Sequence, residues 1–117
     1  MSTAPKSQVL NIAEMVVYQE GSVVSRQITK TDSGNVTLFA FDTDQVLSEH
    51  TAPFDALVHV LEGEAEVSIS GTPYRLSAGD VIIMPANEPH ALKAIQKFKM
   101  LLTMIRAKTP SEGHAMI

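Results

Sequence analysis

The feature that most constrains the fold is a series of short apolar runs, each of about five to eight residues, separated by turn-forming residues. In residues 64–70 the order E-A-E-V-S-I-S places Ala65, Val67 and Ile69 on one face of a strand and polar side chains on the other. Residues 35–41 and 98–105 are mostly apolar at odd and even positions alike, which predicts strands covered on both faces.

Turn residues divide the chain into strands. Residues 31–34 (TDSG) end a strand over 22–29 and predict a hairpin, while 71–73 (GTP) and 77–80 (SAGD) bound strands at 74–76 and 81–84. Segments 90–95 and 98–105 complete about eight to ten strands, and residues 12–17 form at most a helical turn. This pattern predicts an all-β fold, a sandwich or barrel of antiparallel strands.

Length and composition narrow the class of protein. The 117 residues fit one domain, 1–117, with a polar lead over about 1–8 and a tail over about 108–117. A net charge of -4 without a Lys/Arg cluster argues against a nucleic-acid partner. Because the chain has no cysteine, any metal would rest on histidine, carboxylates and water. No apolar stretch has the length of a membrane span, so we expect a cytoplasmic protein with no membrane partner.

Two segments carry a family resemblance: 50–63 (HTAPFDALVHVLEG) and 79–94 (GDVIIMPANEPHALKA). They resemble the two motifs of the cupin superfamily, which implies an antiparallel double-stranded β-helix, or jelly-roll barrel. Aligned on Gly63, the first motif's three ligand positions hold His50, Ala52 and Ala56. In the second motif Gly79, Pro85 and His90 match, whereas Asn87 and Ala94 replace a glycine and an asparagine.

His50 and His90 are the candidate metal ligands, because the motif spacing directs both into the barrel and imidazole binds Fe, Mn, Ni, Cu or Zn. A third ligand is needed, and Asp55 is the first candidate, beside the bend at Pro53. Glu49 should point away from the face of His50. The alternative is that no metal binds and both histidines line a hydrated mouth.

The other histidines and the methionines have simpler interpretations. If Ala56 faces inward, His59 lies on the opposite face of its strand, where it packs or forms an interface. His114 lies in the tail, where we expect disorder or loose docking. The three methionines at 84, 100 and 104 are expected to fill the core rather than to bind a soft metal or line an apolar substrate pocket.

The resemblance implies a pocket for a small molecule, and we expect Val58 and Met84 to line it. Phe54, in the loop between the two histidine-bearing strands, would screen its mouth. One hypothesis is a metal-dependent enzyme of oxygenase, isomerase or decarboxylase type acting on a small organic molecule. The other, favoured by the alanines at 52 and 56, is a non-catalytic binding module with a degenerate metal site. The two-sided apolar strands also predict a homodimer.

Overall fold

The computed structural model describes residues 3–107, which form nine strands and a single 3-10 turn at Ile12–Glu14. The strands are β1 Val23–Thr31, β2 Gly34–Phe41, β3 Val46–His50, β4 Phe54–Glu62, β5 Glu64–Ile69, β6 Thr72–Ser77, β7 Val81–Met84, β8 His90–Ala94 and β9 Phe98–Arg106. The all-β prediction is confirmed. His114 and the rest of the tail at 108–117 lie outside the described residues.

The strands form two antiparallel sheets. The five-stranded sheet has the order β1-β2-β9-β4-β7, and the four-stranded sheet has the order β3-β8-β5-β6. The expected hairpin at 31–34 joins β1 to β2, with Thr31 opposite Gly34. Because β3 and β4 belong to different sheets, the short loop at 51–53 crosses from one sheet to the other.

The core lies between the two sheets and follows the period-two pattern of their inner faces. On β4 the inward residues are Ala56, Val58 and Val60, and on β5 they are Ala65 and Val67. Met84 and Met100 are almost fully buried, and Met104 packs against the same core, so the methionines fill the core as predicted.

The outer face of the larger sheet is partly covered by the chain's own N-terminal segment. Val16 packs with Leu38 and Ala40 of β2, and Ile12 and Met15 add to this second cluster. Leu38 and Ala40, on the outer face of β2, are therefore buried within one chain. The prediction that this part of β2 needs cover from a partner subunit is wrong.

Hydrogen bonds near both of its ends also hold the N-terminal segment against the strands. Ala4 is buried, and its backbone N–H donates to the carbonyl of Ile28 in β1. Near its other end, the Tyr18 hydroxyl donates to Glu62 at 2.7 Å. Within residues 3–107, no helix has the length and apolar character that a membrane crossing requires.

Candidate functional site

A β-bulge brings the two predicted histidines together. Leu47 of β3 pairs with Leu92 of β8, and His50 pairs with His90. Between these two pairs β3 advances by three residues and β8 by only two. In a regular strand Leu47 and His50 would face opposite sides. The extra residue in β3 lets His50 share the face of His90.

The imidazole rings of His50 and His90 are in direct contact. Their Nε2 atoms lie 3.2 Å apart, and the ring centroids are 4.4 Å apart with the planes at 72°. His90 is buried, whereas His50 is exposed, so the pair spans from the core to the surface.

Main-chain carbonyls fix the orientation and the tautomer of both rings. Nδ1–H of His50 donates to the carbonyl of Ser48 at 2.8 Å, and Nδ1–H of His90 donates to the carbonyl of Glu88 at 3.1 Å. Because a carbonyl only accepts, Nδ1 carries the proton in each neutral ring, and each Nε2 presents a lone pair. The two Nε2 atoms face each other across 3.2 Å, so a single cation would contact both.

The geometry fits a metal ion. Two imidazole nitrogens 3.2 Å apart are close enough to hold one transition-metal ion between them. A histidine whose Nδ1–H is held by a carbonyl is also the usual arrangement of a metal-binding imidazole. Burial lowers the pKa of His90 below its usual value, the charge of His50 adds to this, and the hydrogen bond to Glu88 opposes it.

The predicted third ligand lies elsewhere. Asp55 is the second residue of β4 and alternates with the inward Ala56, so it is on the outer face of the sheet. Its Oδ1 accepts a hydrogen bond from the backbone N–H of Ala86 at 2.9 Å. Across residues 3–107, no three His, Asp or Glu side chains come together in a group that could hold a metal ion.

The predicted pocket residues occupy two different environments. Val58 and Met84 are buried in the core between the sheets. Phe54 was expected in a loop but is the first residue of β4, half-buried, with the Arg106 guanidinium carbon 4.8 Å from its ring centroid. A groove of about 240 Å³ lies instead at the tip of the β1–β2 hairpin and the end of β9, between Thr29, Val36 and Thr103 among others.

His59 faces away from the core, as expected. It is half-buried on the outer face of β4, opposite Val81 of β7 and Leu101 of β9. It is therefore separated from His50 and His90 by the thickness of the sheet.

The loop before His90 explains one departure from the family pattern. Asn87 has φ +67, a left-handed backbone conformation that suits glycine and that asparagine tolerates. Its backbone N–H donates to the carbonyl of Ala52 at 2.8 Å, which ties this loop to the loop after His50. Asparagine therefore replaces the motif's glycine without changing the backbone.

Known structures resemble this chain along most of its length. A conserved protein of unknown function from Streptococcus pyogenes is 33% identical, with a TM-score of 0.84 over 93% of this chain and 98% of that one. A cupin superfamily protein from Desulfitobacterium hafniense is 27% identical, with a TM-score of 0.83 over 91% and 97%. A cupin 2 conserved barrel domain protein from Leptotrichia buccalis is 39% identical, with a TM-score of 0.81 over 83% of this chain and 47% of that one.

No curated protein matches the chain. The family model described as the cupin domain matches residues 37–106, which include β3, β4 and β8 with both histidines. The antiparallel strands agree with the fold of the cupin structures that this chain resembles. The chain belongs to the cupin family.

Proposed function

We propose that this protein is a metal-dependent cupin that acts on a small organic molecule at a divalent transition metal held by His50 and His90. The observation that carries the proposal is the approach of the two Nε2 atoms to 3.2 Å, with each Nδ1 hydrogen-bonded to a main-chain carbonyl. The candidate ions are Fe, Mn, Ni, Cu and Zn, all of which accept imidazole.

Two protein ligands leave most of the coordination sphere to other donors. Ala52 and Ala56 stand where the cupin motif has ligands, so water or a bound molecule would fill those positions. A bound metal would polarise a carbonyl or enolate oxygen of that molecule, or activate dioxygen if it is iron, chemistry of the oxygenase, isomerase or decarboxylase type. The cytoplasmic location expected from the sequence remains part of this proposal.

Calorimetric titration of the EDTA-treated protein with Ni²⁺ or Zn²⁺ tests the metal site. We expect one ion per chain, with affinity lowered at least tenfold in His50→Ala and in His90→Ala, because each variant removes one of only two imidazole ligands. His59→Ala is the matched control and should bind like the unmodified protein. Metal binding that survives both substitutions would contradict the proposal.

A metal-free binding module is the second candidate. It is favoured by the two alanines at family ligand positions and by the lack of a three-ligand group within the part of the chain that the structure describes. The two functions separate when a small-molecule ligand is titrated with and without EDTA. Binding that is unchanged by EDTA supports the module, and binding that requires the metal supports the first proposal.

We also propose a homodimer formed through the uncovered part of the larger sheet. Its outer face has three aliphatic side chains that are half exposed or more: Val81, Ile83 and Ile105. Leu57 lies between Asp55 and His59 on this face, so two copies stacked antiparallel about Leu57 would place each carboxylate opposite an imidazole. Ile83→Glu should shift the protein to a monomer by light scattering. Val46→Glu, an equally exposed strand position on the other sheet, should not.

A further inference from the structure

Arg106 is a cation at the end of the sandwich that carries the histidines. It is the last residue of β9 and pairs with Phe54, the first residue of β4. Alternation along β9 gives Arg106 the inward parity of Leu102 and Met104, both of which pack in or against the core. Its side chain therefore lies over the edge of the core rather than on the outer face of the sheet.

Three contacts hold Arg106 in place. Its guanidinium carbon is 4.8 Å from the centroid of the Phe54 ring, within the range of a cation–π interaction. Nε–H donates to the carbonyl of Asp32 at 3.1 Å, and the backbone N–H donates to the carbonyl of Ser33 at 2.8 Å. These contacts orient the planar group and leave the outer N–H donors of its fork for another acceptor.

No carboxylate occupies that fork among residues 3–107, where the two ion pairs are Arg75–Glu64 and Lys99–Glu62. Two carboxylates of the neighbouring loops have other partners. Asp55 accepts from Ala86, and Glu88 accepts from the Ser70 hydroxyl at 2.6 Å. Arg106 is thus an oriented arginine without an anionic partner in this part of the chain.

Backbone hydrogen bonds connect Arg106 to the loops that bear the histidines. The N–H of Ala107 donates to the carbonyl of Pro53, in the three-residue loop that follows His50. The same loop accepts from Asn87 through Ala52, and Asn87 lies three residues before His90. The loop at 51–53 therefore contacts both the end of β9, next to Arg106, and the loop that leads to His90.

We infer that Arg106 binds the carboxylate of the small molecule that this site accepts, with Phe54 as its positioning residue. The inference rests on the proposed function, since it assumes that a ligand enters beside His50 and His90. The guanidinium supplies a permanent positive charge at this end of the molecule, which suits an anion. A bidentate contact with guanidinium is the usual way in which proteins recognise a carboxylate.

Malonate is a suitable probe, because it has one carboxylate for the arginine and a second for a metal. We would titrate it by calorimetry or ¹⁵N NMR at constant ionic strength, with Zn²⁺ and with EDTA. Arg106→Gln should weaken binding about tenfold or more, the loss expected for a hydrogen bond to a charged group. Arg26→Gln, which removes an exposed arginine of β1, is the matched control and should bind normally.

Two further variants separate recognition from folding. Arg106→Lys keeps the charge but loses the planar fork, and Phe54→Leu keeps an apolar residue but loses the ring, so both should bind malonate more weakly with an unchanged melting temperature. Malonate binding equal to that of Arg26→Gln in all Arg106 and Phe54 variants, or no binding to the unmodified protein, would overturn the inference.

Metal titration of the same variants keeps this inference distinct from the proposed function. Arg106→Gln should still bind one Zn²⁺ per chain, because it changes neither imidazole. If the unmodified protein binds no metal but loses malonate on Arg106→Gln, the arginine's role stands and the metal proposal fails. If the protein binds metal but malonate binding does not depend on Arg106, the metal proposal stands and the role of the arginine fails.

Discussion

Gly63, in the turn between β4 and β5, gives a sharp test of the fold because the chain contains a matched control. Gly63 has φ +82, and Gly71, in the turn between β5 and β6, has φ +83. A Cβ on Gly63 would lie 1.8 Å from the carbonyl oxygen of Lys97 and 2.7 Å from the Cα of Phe98. A Cβ on Gly71 meets nothing within 4 Å. An alanine would therefore meet the same unfavourable backbone conformation at both sites, but only at position 63 would its Cβ clash with other atoms.

The magnitudes follow from that difference. Each Gly→Ala change places alanine in a left-handed conformation at about 1–2 kcal/mol, offset by about 0.4–1 kcal/mol from the stiffer unfolded chain. Gly71→Ala should thus cost about 1 kcal/mol. Gly63→Ala must also displace the backbone of Lys97 and Phe98, which adds about 1–3 kcal/mol. For a domain of this size the difference between the variants corresponds to roughly 4–20 °C in melting temperature.

Thermal unfolding followed by circular dichroism measures both variants under the same conditions. We expect Gly63→Ala to melt well below Gly71→Ala, or to fail to fold while Gly71→Ala folds. Equal melting temperatures would refute the reasoning, because they would mean that the close approach of Gly63 to residues 97–98 contributes nothing.

Three other predictions concern the anchored segment and the site. Burial and the contact with Glu62 raise the pKa of Tyr18, so its phenol stays protonated and donates. Tyr18→Phe should lower the free energy of unfolding by about 1–2 kcal/mol and speed hydrogen exchange in residues 12–18. Unaltered exchange would mean that this hydrogen bond does not anchor the segment. Because the pKa of His90 is lowered on folding from 6.5, the unfolded chain binds protons more readily, and stability in urea should fall as pH drops below 6.5. His90→Asn should flatten this dependence, and an unchanged slope would disprove it. Ala56→Glu restores the carboxylate of the cupin motif at a core position. The variant should be less stable than the unmodified protein without metal, and excess Zn²⁺ should restore its stability. A stability that does not depend on Zn²⁺ would count against an ion near residue 56.

The strand pattern of this fold is readable from the sequence because side chains alternate with period two. The strict alternation of 64–70 became β5 at Glu64–Ile69, and the turn residues at 77–80 and 85 bound β7 at Val81–Met84. The packing of the N-terminal segment on the outer face of β2 could not be predicted from the sequence. Val16 and its neighbours have no helical or strand period, so nothing in their pattern shows that they pack on a sheet.

The site was only partly predictable for a similar reason. Motif spacing predicted that His50 and His90 point into the same space, and the two rings are in contact. The bulge in β3 that aligns them depends on pairing with β8, which the sequence of one strand does not reveal. Asp55 was expected at a bend after Pro53. Regular pairing of β4 with β9 begins already at Phe54, so strict alternation turns Asp55 outward. Arg106 carried no sequence signal of its own, because its contacts with Phe54 and Asp32 join distant parts of the chain.

The most direct test of the metal proposal is anomalous diffraction from crystals of the protein grown with Ni²⁺ or Zn²⁺, measured at the metal's absorption edge. We expect one anomalous peak per chain, about 2.0–2.1 Å from Nε2 of His50 and from Nε2 of His90. A map with no peak between these two nitrogens, in crystals whose His50–His90 contact is intact, would contradict it.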